Sequence, residues 1–83
     1  MTQKDKRIEQ FFKNPTSLNY FQIQKILLEL GFVKIDAKGS HVKFKHSELR
    51  YDFIVPVHRN DCKDFYKKLA SKLAKTIILN PLP

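Results

Sequence analysis

Between residues 32 and 56 the chain carries three short runs of strand-forming residues joined only by tight turns, and no other feature restricts its fold as much. Residues 32–36 contain Phe32, Val33 and Ile35, residues 40–46 alternate through Val42 and Phe44, and residues 51–56 alternate through Tyr51, Phe53 and Val55. The connections are Ala37-Lys38-Gly39 and residues 47–50. Parallel neighbours need a crossover of about a dozen residues or more, so links this short leave only an antiparallel meander. Pro56 has no amide to donate, so it ends the third strand or lies at an edge.

Helical spacing brackets the strands. Ile8, Phe11 and Phe12 predict a short amphipathic helix over residues 4–13, stopped at Asn14-Pro15 because the residue before proline avoids helical geometry. Ser17 or Asn19 caps a second helix whose apolar face is Ile23, Ile26, Leu27 and Leu30. Gly31 fits the left-handed position just past its end, with Phe32 folding back as the hydrophobic contact. After the strands, Asn60 or Asp61 caps a last helix with Phe65, Leu69 and Leu73 on one stripe and Ala70 and Ala74 beside it. Lys63, Lys67, Lys68 and Lys75 make the outer face of that helix basic. Phe32, Phe44, Phe53 and Phe65 are expected in the core, and Tyr51 and Tyr66 partly exposed. Residues 76–83 close in Asn80-Pro81-Leu82-Pro83 and are expected to be an extended or loose tail. The expectation is one α+β domain over residues 1–83, in the order α-α-β-β-β-α.

Eighty-three residues support a single modest core. Sixteen Lys and Arg against eight Asp and Glu leave a formal charge of +8. Residues 31–75 hold eleven of the basic and five of the acidic side chains, so +6 of that excess falls on the strands and last helix. A basic surface there favours an anionic partner such as nucleic acid. The single cysteine, Cys62, cannot form an internal disulfide or a cysteine-based zinc site, which suits a reducing cytoplasm. No signal peptide or membrane-spanning run is present, so a cytoplasmic location without membrane attachment is expected.

Chemistry-bearing residues concentrate where the second strand begins. If Val42 and Phe44 point inward, then His41, Lys43 and Lys45 point outward together, placing an imidazole in line with two fixed positive charges. Histidine titrates nearest neutrality, so it can both take and give a proton. The other two histidines are placed differently: His46 shares the inward face, and His58 follows Pro56-Val57 just before the last helix. No HExxH or paired-cysteine spacing supports a metal site, and Gly39-Ser40 is not the GxSxG elbow of a serine hydrolase. Two glycines in the whole chain exclude a glycine-rich nucleotide loop, and no cofactor is expected. The residues leave two readings of His41 open. One is a solvated strand histidine without a role. The other is RNA cleavage, in which the ribose 2′-OH attacks the adjacent phosphate while imidazole moves the proton and lysines steady the phosphorane.

Leu30-Gly31-Phe32, then Lys38-Gly39-Ser40-His41-Val42-Lys43-Phe44, then Val55-Pro56-Val57-His58 resemble, in type and order, the HicA toxin family of mRNA interferases. The resemblance covers residues 19–75. It implies a double-stranded-RNA-binding-domain-like fold, with helices packed on one face of a three-stranded antiparallel sheet. It also implies the toxin of a type II toxin–antitoxin system, an endoribonuclease that cuts mRNA and inhibits translation. The partners would be RNA and a HicB-like antitoxin that covers the active site. The family's catalytic histidine falls on His41, and Pro56 and His58 match its proline-x-histidine element. Lys38, Gly39, Ser40, Lys43, Lys45 and His58 are then expected to contact RNA, Gly39 by letting the backbone approach closely. The alternative is a non-catalytic RNA-binding module on the same fold. Residues 1–18 form an added helical segment resembling longer relatives. Asp64-Phe65-Tyr66 departs from the small glycine-threonine-leucine-like start that the family's last helix commonly has.

Overall fold

In a computed structural model, which describes residues 3–36 and 39–79, helices α1 (Gln3–Lys13) and α2 (Tyr20–Glu29) precede strands β1 (Val33–Asp36), β2 (His41–Lys45) and β3 (Phe53–Pro56). Helix α3 (Asp64–Leu79) follows, and a 3-10 turn at Pro15–Ser17 links the first two helices. The fold is α+β in the expected order. The sheet is an antiparallel meander, β1-β2-β3, with Val33 opposite Lys45, Phe44 opposite Phe53 and His41 opposite Pro56.

Local chemistry sets the start and stop of α2. Asn19 accepts the Gln22 N–H while the Gln22 side chain accepts the Asn19 N–H, so two amides that the helix leaves unpaired are satisfied reciprocally. At the other end Gly31 takes φ +97° and the Phe32 N–H returns to the Leu27 carbonyl.

All three helices pack on one face of the sheet. Ile23, Ile26 and Leu27 of α2 meet Phe32, Phe44, Phe53 and Val55, with Ala70, Ala74 and Ile77 of α3 closing the core. The added N-terminal segment belongs to this core. Phe11 is fully buried, and the buried Ser71 hydroxyl of α3 donates to the Phe11 carbonyl at 2.9 Å. Leu18 and Tyr20 are buried beside it.

Helix α3 corrects four expectations. It starts at Asp64, so neither Asn60 nor Asp61 is its cap. Arg59 and Asn60 instead turn the chain with φ +52° and +63°, bracketed by mutual backbone bonds between His58 and Asp61. This is the geometry of a two-residue hairpin turn. Second, α3 continues through Leu79 with Ile77 buried, where an extended tail was expected from residue 76; residues 80–83 lie outside the described residues. Third, Phe65 is 66% exposed, not core. The buried stripe is Lys67, Ala70, Ser71, Ala74 and Ile77, nearly opposite Phe65 on the helix, because small side chains let α3 lie close against α1 and the sheet. Fourth, Lys67 is part of that stripe and not of the basic outer face; it is 6% exposed and pairs with Asp61 at 3.2 Å.

Candidate active site

The helix-free face of the sheet carries the basic strand residues. Cross-strand partners in an antiparallel pair share a face. The register therefore sets Val33 and Ile35 of β1 beside Lys45 and Lys43 of β2, and Ile54 and Pro56 of β3 beside Lys43 and His41. Val42, Phe44, Phe53 and Val55 point the other way, into the core. His41 is exposed and in line with Lys43 and Lys45, as alternation predicts.

Asp52, which strand alternation also directs outward, is a residue that the motif-based reading passed over. Its carboxylate lies 3.7 Å from Lys43 Nζ and 3.8 Å from Lys45 Nζ, holding both ammonium groups over the same patch. All three side chains are at least one-third exposed, so this is a solvent-screened cluster that an arriving phosphate can join or displace.

Gly39 and Ser40 form the turn into β2. Gly39 has φ +73°, and a side chain there would meet nothing within 4 Å, so the approach to its backbone is open. The Ser40 carbonyl accepts the Val57 N–H at 2.9 Å, tying this turn to the segment that carries His58. Lys38 lies outside the described residues.

His58 is exposed beyond the end of β3, on a cleft of about 280 Å³ that it lines with Pro56, Asp61, Cys62, Lys63 and Tyr66. His46 has a structural position. Its Nδ1 accepts the Glu48 N–H at 3.1 Å, which leaves the proton on Nε2 to donate to the Leu30 carbonyl at 3.3 Å. Its ring packs on Phe32 with 4.8 Å between centroids.

Asp61, which lines the cleft, is held by several bonds. Its Oδ1 accepts the N–H groups of Tyr20 and Cys62, each at 2.9 Å, and the buried Lys67 ammonium lies beside it. Partial burial pushes the Asp61 pKa up, but the bonds from Cys62, Lys67 and Tyr20 outweigh this and hold it below the ordinary carboxylate value. Asp61 thus supplies an acceptor to the first turn of α2 from across the fold. Burial raises the Cys62 thiol, with the nearby Lys67 pulling the other way, and burial drives the Tyr20 phenol to about 12.

Among the described residues, no three His, Cys, Asp or Glu side chains converge as metal ligands, and no helix is long and apolar enough to cross a membrane. No curated protein and no solved structure matches the chain significantly. A family model described as HicA toxin of bacterial toxin-antitoxin matches residues 22–77.

Proposed function

The chain belongs to the HicA toxin family, the toxin side of bacterial toxin–antitoxin pairs, and from that premise we propose that it is a metal-independent mRNA endoribonuclease with His41 as its general acid/base. The observation that supports this most is the position of His41: an exposed imidazole on the helix-free sheet face, aligned with Lys43 and Lys45. Membership also implies an antitoxin partner; here that partner is a HicB-like protein covering this face.

Neutral imidazole at His41 takes the proton from a ribose 2′-OH as its oxygen attacks the adjacent phosphorus. The new O2′–P bond gives a phosphorane whose extra negative charge meets the Lys43 and Lys45 ammonium groups. The P–O5′ bond then breaks, the 5′ oxygen takes the proton now held by the His41 imidazolium, and a 2′,3′-cyclic phosphate remains while His41 returns to its neutral form. DNA has no 2′-OH and is inert to this route. Gly39 and Ser40 let the backbone of the turn reach the strand being cut, with Lys38 adding charge beside them. His58 contacts the same RNA from the end of β3.

The test is incubation with a defined mRNA in EDTA, beside a His41→Ala variant with an unchanged circular dichroism spectrum. Cleavage by the wild type alone, leaving cyclic phosphate ends, is the expected result. Cleavage by the folded variant would remove His41 from the mechanism. Binding without cleavage by either protein would favour a non-catalytic RNA-binding module.

A further inference from the structure

The cleft between β3 and α3 is not used by the chemistry at His41, yet it adjoins it. His41 and Pro56 are direct cross-strand partners on the helix-free face, and Pro56 is also a wall of the cleft. A strand of RNA with one phosphate at His41 therefore brings a neighbouring nucleotide to the cleft mouth. We propose that this cleft is a subsite for one unpaired nucleobase flanking the phosphate that is cut, stacked on the Tyr66 ring; this rests on the RNA-cleaving reading above.

Four features fit a base. At about 280 Å³ the cleft falls just below the usual range for small-molecule pockets, about 300–1,000 Å³, and suits a single ring system. Tyr66 is half-buried against the core and meets the Phe65 ring in a T-shaped contact, with 5.2 Å between centroids and 86° between planes. Stacking between a base and an aromatic ring tolerates any base because every base has a π face. His58 and Lys63 supply polar groups on the rim for base edges or the flanking phosphate, and the exposed Arg59 adds a positive charge next to His58.

The one carboxylate lining the cleft does not oppose an RNA strand. Asp61 is committed to the Tyr20 and Cys62 amides and to the Lys67 ammonium, which offsets its charge. The same three bonds join the start of α2, the turn before α3 and α3 itself, which fixes this lining residue relative to the helices. The occupant is unpaired: a base held in the cleft has its face on Tyr66 and its edge against His58 or Lys63, which a base pair within a duplex cannot present together.

The experiment is an abasic scan with the full chain. A single-stranded oligonucleotide with 2′-O-methyl ribose throughout cannot be cut by 2′-OH attack, so binding is read apart from chemistry. One abasic position is moved along it, and affinity is measured for wild type, Tyr66→Phe and Tyr66→Leu. We expect one position at which losing the base weakens binding about tenfold in wild type and Tyr66→Phe, and hardly at all in Tyr66→Leu. Equal tolerance at every position in wild type would overturn the subsite without any variant needing to fold. So would an abasic penalty that survives in folded Tyr66→Leu. Cleft resonances that move with antitoxin but not with the oligonucleotide would assign the cleft to a protein side chain instead. A position-specific penalty with no cleavage of ordinary RNA would leave the subsite standing and sink the endoribonuclease reading; cleavage without a penalty would do the reverse.

Discussion

Replacing Asp61 with alanine removes three bonds from one small acid. The Tyr20 and Cys62 amides lose an acceptor at 2.9 Å, and Lys67, a residue only 6% exposed, loses its carboxylate. A hydrogen bond to a charged group contributes about 1.5–3 kcal/mol, and removing one partner of a buried ion pair costs about 3–5 kcal/mol. The Asp61 side chain is 47% exposed, so water replaces part of what is lost and the figures cannot be added at full value. About 3 kcal/mol is the working estimate. For a domain of this size each kcal/mol moves Tm by about 4–8 °C, which puts the drop near 12–24 °C. Lys67→Met removes the buried charge together with its need for a partner, and should stay within about 1 kcal/mol of wild type.

Acid titration adds a sign. The Asp61 pKa in the folded state lies below its unfolded value, so its contribution is full above the unfolded pKa of about 3.9 and is lost as pH falls through the folded value. Urea denaturation at neutral pH and at progressively lower pH should show the gap between wild type and Asp61→Ala closing toward acid. An Asp61→Ala variant within about 0.5 kcal/mol of wild type at pH 7, or a Lys67→Met variant equally damaged, would refute the reasoning.

Other perturbations separate the remaining contacts. Ser71→Ala leaves the buried Phe11 carbonyl without its 2.9 Å donor and should cost about 1–2 kcal/mol, with hydrogen exchange in α1 accelerating more than in α2. Gly31→Ala should lower the urea midpoint more than Gly39→Ala. Gly31 has φ +97° and a new Cβ would lie 3.4 Å from His46 Nε2, whereas Gly39 at φ +73° faces open space and carries only the backbone strain of about 1–2 kcal/mol. Asp52→Asn frees Lys43 and Lys45 from their shared carboxylate, so RNA binding should tighten at low salt and its logarithmic salt slope should steepen by up to about one.

What the sequence made legible was what neighbouring residues decide among themselves. Asn19 as one of two candidate caps, the apolar face of α2, Gly31 and the alternation of β2 are local patterns, and the structure contains each of them; the reciprocal bond from Gln22 was not read from the sequence. The outward direction of His41, Lys43 and Lys45 followed from the same alternation. What stayed hidden depends on how the elements come together in the fold. Lys67 reads as a surface lysine until Asp61 and the start of α2 are brought around it. The centre of the buried face of α3 is marked by Ala70, Ser71 and Ala74, whose small side chains carry a weak hydrophobic signal; Leu69 and Leu73 flank it, half-buried against the core, while Phe65 faces solvent. The segment before α2 had no assigned partner in sequence, yet its Phe11 and Leu18 are buried core residues although both precede the family match at residue 22.

Lys43 stands directly across from Ile35 on one side and Ile54 on the other, and both isoleucines are exposed. Its charge therefore keeps two oily neighbours from forming a continuous stripe, much as gatekeeper residues interrupt sticky segments in other sheets. Shortening it to alanine would alter phosphate attraction and colloidal behaviour at once. A loss of activity in that variant carries information about RNA only where sedimentation shows the protein still monomeric, and glutamine, polar but uncharged, is the substitution that keeps the two effects apart.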